Sequence, residues 1–199
     1  MFIELTEALR CPRPHDESYL VCIPLEMDGR QVVRGGLGCP VCQAEFPIVE
    51  GTAWFAPPGK TAPPRPDAVE PEYDAAALRT FVDLEGRGGY VALVGGAARH
   101  AASLADLLEG VHVAAVNPPD DAPRSAAISV LMSPAMLPLK SRHLRAVVIG
   151  ADYAASPWTE EAARALLPGL RAVIADAAVA VTGLAELARG AGLFIGERR

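Results

Sequence analysis

The 199-residue chain lacks the long apolar runs that mark membrane-spanning proteins. No stretch of about 18 consecutive apolar residues is present, so a transmembrane helix is not expected. The first seven residues include the carboxylates of Glu4 and Glu7, where a secretory signal would need apolar side chains. These absences predict a cytoplasmic protein that does not insert into a membrane.

Positive charge is also scarce in this sequence. Lys and Arg together number 18 against 24 Asp and Glu, which gives a formal net charge of −6. Because Lys and Arg contacts to phosphates supply much of the affinity of nucleic-acid-binding proteins, this balance argues against an extended nucleic-acid surface. Binding of nucleic acid is therefore expected only through a partner protein or through a local basic patch.

Cysteine is absent after residue 42, although four cysteines lie within the first 42 residues. In a cytoplasmic protein such residues are more often metal ligands or unpaired thiols than disulfides. Residues 57–71 are rich in proline, which disfavours helices and central strands and is typical of an extended connector. The sequence thus predicts a zinc-ribbon module at 1–56, a linker at 57–71 and a larger domain at 72–199.

Two pairs of potential metal ligands lie in the first module. Cys39 and Cys42 form a Cys-Pro-Val-Cys knuckle, a loop in which two thiolates can bind one tetrahedral ion. Cys11 and His15, with three residues between them, offer the second pair. Two strands joined across the Asp-Gly turn at 28–29 are predicted between the pairs, which is the layout of a zinc ribbon. We therefore predict a zinc site formed by Cys11, His15, Cys39 and Cys42.

Cys22 leaves the ligand assignment open. It lies within the first predicted strand and would complete an all-cysteine site if it replaced His15. The preferred interpretation of Cys22 is a small core residue, and a module without metal is the third alternative. Because so small a module buries little apolar surface, a bound metal would supply much of its folding free energy.

From residue 72 onward, short apolar segments alternate with helical periodicity. Strands are predicted at 90–94, 111–116, 127–132, 144–149, 170–174 and 193–195. Helices are predicted at 73–84, at 104–108, from the Ser156 N-cap to Pro168–Gly169, and at 184–189. This alternation predicts a Rossmann-like, mainly parallel doubly wound sheet, so the fold class is α/β with a small β module in front.

Residues 39–55 carry the knuckle followed by an aromatic-Pro-Ile segment, and residues 9–12 carry an earlier Leu-Arg-Cys-Pro. Both segments resemble the small zinc-ribbon family that activates tRNA and release-factor methyltransferases. His15 in place of a second cysteine and a long hairpin between the knuckles depart from that family. The resemblance implies a protein-interaction module. Its expected contact residues are Phe46, Trp54 and Phe55.

Residues 91–99 (Val-Ala-Leu-Val-Gly-Gly-Ala-Ala-Arg) end a predicted strand in a glycine-rich turn, and residues 113–117 end the next one in Asn. With the segments at 136–148 and 166–174, they follow the order of landmarks in class I S-adenosylmethionine-dependent methyltransferases. Residues 73–199 resemble that family. The resemblance implies a methyltransferase-like fold.

The family's cofactor positions are only partly kept. Gly95 and Gly96 remain, but Leu93 replaces the acidic residue that opens the motif, and Arg99 replaces its last glycine. Asn117 stands where the family has the ribose-binding carboxylate, and it carries no charge. We therefore interpret Gly95, Gly96 and Asn117 as a vestigial cofactor site and expect S-adenosylmethionine to bind weakly or not at all.

These features favour a non-catalytic zinc-binding partner or assembly subunit of a larger protein complex, with a pseudo-methyltransferase domain and no catalytic residues. The alternative is an active S-adenosylmethionine-dependent methyltransferase that acts on RNA or protein. A nicotinamide-nucleotide protein is disfavoured because Ala97 and His100 replace glycines of that fingerprint.

Asp152 and Tyr153 are the best remaining polar pair for a cleft at the strand ends, although capping of the following loop is the preferred role.

Overall fold

A computed structural model describes residues 1–57, 60–61, 64–134 and 136–199. Four residues of the predicted linker (58, 59, 62 and 63) lie outside the described residues. Within the described part, eleven strands form one mixed sheet in the order β1-β2-β3-β4-β7-β6-β5-β8-β9-β11-β10. The strands are β1 (Val21–Asp28), β2 (Gln31–Gly38), β3 (Glu45–Val49), β4 (Thr52–Trp54), β5 (Tyr90–Val94), β6 (His112–Val116), β7 (Ile128–Met132), β8 (Leu144–Ile149), β9 (Leu166–Ile174), β10 (Leu184–Gly190) and β11 (Leu193–Arg198). The α-helices are α1 (Ala75–Val82), α2 (Ala101–Leu107) and α3 (Trp158–Ala165), and short 3₁₀ helices span Ile3–Ala8, Gly95–His100 and Ala151–Tyr153.

The middle of the sheet is parallel, as the α/β pattern predicts. Strands β4, β7, β6, β5, β8 and β9 all run in the same direction, and β11 closes antiparallel against β9. The chain leaves β5 towards β6 on one side and reaches β8 on the other. In parallel α/β sheets such a reversal of strand order opens a crevice at the carboxyl ends of the two strands. We call the place where residues 95–97 and 150–152 meet, at the carboxyl ends of β5 and β8, the crevice.

The two faces of the sheet are covered differently. Helices α1 and α2 pack on one face, around Leu78, Val82 and Leu104. On the other face, α3 is joined by the N-terminal residues, whose Leu5 and Leu9 are fully buried in the same core as the sheet. In the described residues no helix links β6 to β7 or β7 to β8, so the N-terminal residues cover the face that crossover helices would otherwise occupy.

The strands of the first 56 residues extend the same sheet. β1 to β4 are antiparallel neighbours, and the predicted hairpin across residues 28–29 is present between β1 and β2. β4 then pairs in parallel with β7, with Trp54 opposite Met132. Residues 1–56 and 72–199 therefore share one sheet and one apolar core.

Two predicted elements differ from the structure. The helix predicted at 184–189 is wrong, because Leu184–Gly190 forms strand β10, which pairs with β11 across a tight turn where Gly192 has φ +77°. The favourable helix propensity of this segment is outweighed by strand pairing in the sheet. Helix α3 starts at Trp158 and already ends at Ala165, and the following strand contains Pro168–Gly169 instead of starting after it.

The described residues include no helix with the length and apolar character needed to cross a bilayer.

Candidate functional site

The four predicted metal ligands meet in one place. The donor atoms of Cys11, His15, Cys39 and Cys42 all lie within 4.8 Å of one another. The sulfurs of Cys11 and Cys42 are 3.7 Å apart, and Cys39 Sγ lies 3.5 Å from His15 Nε2. Tetrahedral zinc with Zn–S bonds of about 2.3 Å requires sulfur–sulfur separations of about 3.8 Å. The cluster therefore has the donor types and spacing that fit a tetrahedral zinc ion.

Backbone hydrogen bonds in two loops position these ligands. In the second loop, Cys39 N–H donates to Ala44 O at 2.9 Å and Gln43 N–H donates to Cys39 O at 3.0 Å. In the first loop, Cys11 N–H donates to Ser18 O at 3.0 Å. Each loop is thus closed by main-chain contacts, which direct its two ligands towards the other pair.

The local environment shifts the pKa values of three of these residues, and the shifts do not all favour metal binding. His15 Nδ1 lies 2.6 Å from Asp16 O, and this backbone contact raises the pKa of His15. When Nδ1 carries the proton, Nε2 presents its lone pair towards Cys39, as in metal-bound histidines. Burial opposes ionisation of Cys39, but the amides of Cys42 and Val41 outweigh it and lower the Cys39 pKa to about 6. Burial raises the pKa of Cys11 to about 12, so a metal would have to displace that proton.

Cys22 lies outside this cluster. Its half-buried thiol packs against the apolar core from β1, and burial raises the pKa of this thiol. The structure therefore brings His15, and not Cys22, to the other three ligands.

The glycine-rich turn after β5 contacts the chain's own carboxylate. Gly96 N–H donates to both oxygens of Asp152, at 2.9 and 3.1 Å. Gly95 adopts φ +60°, and a Cβ there would lie 2.3 Å from Asp152 Oδ1. Glycine is thus required at position 95 to accommodate Asp152. The sequence expectation that Asp152 caps its own following loop is replaced by a cap on the β5 turn.

A second carboxylate lies beside the first, and sequence reasoning missed it. Glu70 Oε2 accepts a hydrogen bond from Ala151 N–H at 2.8 Å, and Tyr73 Oη–H donates to the other Glu70 oxygen. A Cβ on Gly96 would lie 2.9 Å from Glu70 Oε2. Glu70 belongs to a proline-rich segment without motif spacing, so no sequence signal pointed to it. Two side chains of this protein therefore fill the crevice.

Asn117 has its side chain occupied elsewhere. It ends β6 at φ +47° and is 5% exposed. Its Oδ1 accepts from Ser133 N–H at 2.7 Å, and its Nδ2 donates to Ser133 O at 2.8 Å. Of the three predicted cofactor-binding residues, Gly95 and Gly96 border the crevice, whereas Asn117 ties the end of β6 to the segment after β7.

The outer face of β1 exposes apolar side chains. Ile23 and Leu25 are 59% and 69% exposed on this edge strand, next to the glycines of β2.

Phe46 and Phe55 are instead buried against each other, with ring centroids 5.2 Å apart. These two residues are therefore not the exposed contact that the sequence predicts, and Trp54 is only half-buried at the margin. Exposed apolar rows such as that of Ile23 and Leu25 on β1 are typical of interaction surfaces.

No protein-family model matches the sequence, and neither does any curated protein. Solved structures that are similar to part of the chain include proteins described as methyltransferases. One is described as a methyltransferase from an antibiotic biosynthesis pathway of Anabaena variabilis (21% identity, 50% of this chain and 43% of that chain, TM-score 0.41). Another is described as an O-methyltransferase from Agrobacterium tumefaciens (20% identity, 51% and 60%, TM-score 0.38). A third is a complex between the Haloferax volcanii Trm112 methyltransferase activator and a methyltransferase (16% identity, 50% and 50%, TM-score 0.38). The chain thus spans about half the length of these proteins.

Proposed function

We propose that this protein is a non-catalytic, zinc-stabilised subunit of a larger protein complex, with a methyltransferase-like domain that does not use the cofactor. The observation that carries the proposal is the pair of hydrogen bonds from Gly96 N–H to Asp152. In the family that residues 73–199 resemble, the glycine-rich turn lets the cofactor approach the backbone. In this protein the Asp152 carboxylate occupies that place beside the backbone of the turn.

The strand order supports the methyltransferase-like part of the proposal. Counted from β5, the strands lie in the order 3-2-1-4-5-7-6, with the seventh antiparallel. In parallel α/β sheets, a reversal of strand order beside the first strand is where a nucleotide-binding crevice forms. The residues at the family's cofactor positions nonetheless contact other parts of this chain. Asn117 is hydrogen-bonded to Ser133, and Glu70 lies against Gly96.

A structural role for zinc follows from the ligand count. Catalytic zinc sites keep one position for water or substrate, whereas structural sites are closed by four protein ligands. Cys11, His15, Cys39 and Cys42 supply four donors to one centre, which leaves no position for chemistry. The ion would stabilise the loops that hold residues 1–56 against the sheet.

The exposed apolar row on β1 supports a role in an assembly. Seven of the eight residues of β1 are exposed, and an exposed apolar edge strand is a surface on which another chain can pack. Ile23 and Leu25 are among these residues, and a partner protein would cover them.

Calorimetric titration of the zinc-loaded protein with S-adenosylmethionine tests the non-catalytic assignment. We expect no saturable heat at ligand concentrations up to about 1 mM. Micromolar binding would contradict the proposal and favour the alternative, an active methyltransferase that acts on RNA or protein.

Co-purification from the native host, followed by mass spectrometry, tests the assembly role. We expect Ile23→Lys to remove the partner, since it places a charge in the apolar row. The matched control is Leu187→Lys on β10, the strand at the opposite edge of the sheet, where Leu187 is 48% exposed. A partner that stays bound to Ile23→Lys would contradict the use of this face.

A further inference from the structure

The face of β1, β2 and β3 that points away from the core carries an open groove. Its floor and walls include Gly36 and Gly38 of β2, Ile23 and Leu25 of β1, and Pro47 of β3. This cavity has a volume of about 430 Å³. It shares Glu45 and Pro47 with a second cavity of about 340 Å³, which extends to Val49 and Trp54. We call the two cavities together the groove.

The two glycines in the floor of the groove are not required by the chain itself. Neither adopts a positive φ. A Cβ on Gly38 would have no atom within 4 Å, and one on Gly36 would meet only Phe46 O at 4.0 Å. Gly35 differs, since a Cβ there would lie 2.6 Å from Ile23 O. Glycine inside a strand weakens it and often marks a place where another molecule approaches the backbone closely. The floor is therefore open to a partner.

The groove lies on the face of the sheet that α1 and α2 cover farther along. Val49 pairs with Thr52, and Thr52 pairs with Val130 of β7. Because side chains two positions apart on a strand share a face, Val130 lies on the face of Ile128, in the core beneath α1 and α2. By the same rule, Val49 shares its face with Pro47 in the groove. In the described part of the chain, this layer of helices stops before β3.

Strand β1 is poorly suited to pair with an incoming strand. Pro24 has no N–H to donate, and the pairing with β2 shifts register between Pro24 and Glu26 and again before Met27. Prolines and bulges protect an edge strand from pairing with another chain. A partner is therefore expected to lie across the face of β1 to β3 and not along its edge.

The groove has the width of a helix. Ile23 and Pro47, on its two walls, both pair with Gly36. The walls are thus two strand spacings apart, which is about 9.6 Å. A helix with its side chains is about 10–12 Å across. Without side chains on Gly36 and Gly38, the floor leaves room for those that a helix would present.

Glu45 determines which charge suits the partner. It is exposed, lines both cavities, and forms no ion pair with any described residue. Arg13 borders only the second cavity, and the chain as a whole has a net charge of −6. A partner with Lys or Arg beside its apolar stripe would complement Glu45.

A second copy of this chain does not provide such a helix. Among the described residues, α1, α2 and α3 pack their apolar sides on the chain's own sheet. The groove of a second copy would also carry the same Glu45. The occupant is therefore expected to come from a different protein.

We propose that the groove binds an amphipathic helix of a partner protein, whose apolar stripe lies on Gly36 and Gly38 and whose Lys or Arg pairs with Glu45. The inference rests on the proposed function, because it names the kind of partner that the exposed face of β1 meets. The bound helix continues the layer that α1 and α2 form on the same face.

Filling the floor of the groove tests the proposal without removing a contact of the folded chain. In Gly36→Val and Gly38→Val the added side chain enters open space in a strand, so we expect urea midpoints equal to or above that of the wild type. Both variants should nevertheless lose binding, because valine occupies the place of the helix. The matched control is Ala188→Val, at an exposed position of the opposite edge strand β10, which should bind as wild type.

The probe is a fluorescein-labelled Leu/Lys peptide of about 18 residues, with leucines at helical spacing so that it forms an amphipathic helix. Anisotropy with the zinc-loaded protein should give a dissociation constant below about 100 µM. The Gly36 and Gly38 amide signals should shift in ¹⁵N NMR spectra. A peptide with Glu in place of Lys should bind about tenfold more weakly. Glu45→Gln should narrow that difference by up to about fivefold, the factor for an exposed ion pair.

Four outcomes would overturn the proposal: no binding of the Leu/Lys peptide by the wild type, equal binding of the two peptides, unchanged binding by both valine variants, or lower urea midpoints in both. In co-purification, a partner that is lost from Ile23→Lys but kept by both valine variants would contradict the helix in the groove alone. A partner that stays bound to Ile23→Lys would instead contradict the proposed function.

Discussion

Arg10, the residue before the first cysteine, donates from Nη2 to Glu161 Oε2 of helix α3 at 3.4 Å. Both side chains are only 14% exposed. Glu161 also pairs with Arg164 at 2.8 Å, and Glu17 lies 3.6 Å from Arg10. This charge network connects the loop that carries Cys11 to the helix that covers β8 and β9.

Loss of Arg10 should destabilise the protein more than loss of a surface arginine. Arg10→Ala leaves the mostly buried Glu161 with a single cationic partner, and we expect a cost of about 1–3 kcal/mol in unfolding free energy. The control is Arg87→Ala, whose pair with Glu109 is exposed and should contribute less than about 1 kcal/mol. Urea unfolding measures the free energy of unfolding of both variants. Equal midpoints for the two variants would contradict the role of the network.

Zinc removal should unfold part of the protein. Structural zinc in small modules contributes about 10–16 kcal/mol of apparent binding free energy at neutral pH, so its loss cannot be neutral here. We expect elemental analysis to give one zinc per chain. Cys39→Ser should lose the ion and lower the melting temperature by roughly 10 °C or more.

Cys22→Ser is the matched control for the zinc prediction, because Cys22 lies outside the cluster. It should keep full zinc content. Zinc retained by Cys39→Ser and lost by Cys22→Ser would show that the ligand set is wrong.

Restoring the acidic residue of the methyltransferase family at position 117 should not restore cofactor binding. Asn117→Asp removes the Nδ2 donor and places a carboxylate beside the Ser133 carbonyl in a buried site. We expect a loss of about 1–3 kcal/mol in stability and no binding of S-adenosylmethionine. Gln43→Glu, also at positive φ but exposed, should change stability little. A cofactor-binding Asn117→Asp variant would contradict the account.

Acid should weaken the fold through His112. Burial lowers the pKa of His112 to about 4, and its Nε2 lies 2.9 Å from Ser129 Oγ. The unfolded chain therefore binds a proton more readily than the folded protein between about pH 6.5 and pH 4, and stability falls as the pH drops through this window. The stabilisation is fully present above about pH 6.5.

His112→Gln should remove this pH dependence, up to about 3 kcal/mol. Urea unfolding of the wild type and the variant between about pH 7 and pH 4.5 measures this contribution as the difference between their unfolding free energies. The contributions of the other titrating groups cancel in that difference. Parallel profiles for the two proteins would contradict a neutral, buried His112.

Local sequence patterns predicted the parallel strands well. β5 and β8 lie where apolar runs bounded by glycine or polar residues placed them, because buried strands of a parallel sheet need little information beyond their own composition. The clustering of Cys11, His15, Cys39 and Cys42 was predictable because zinc chemistry restricts both residue type and spacing.

Long-range packing was not predictable in this way. Nothing near residue 70 indicates that Glu70 reaches Ala151, 81 positions later in the chain. The contact of β4 with β7 and the burial of Phe46 and Phe55 likewise depend on how residues 1–56 meet the sheet. The segment 184–189 has good helix propensity, yet pairing with β11 decides its conformation.

The contact between Gly96 and Asp152 can be observed directly by NMR. Zinc-loaded, ¹⁵N-labelled protein is titrated with S-adenosylhomocysteine while the Gly96 amide signal is followed. We expect an unchanged signal, because Asp152 already accepts a hydrogen bond from that N–H. A saturable shift of the Gly96 signal with ligand would contradict it.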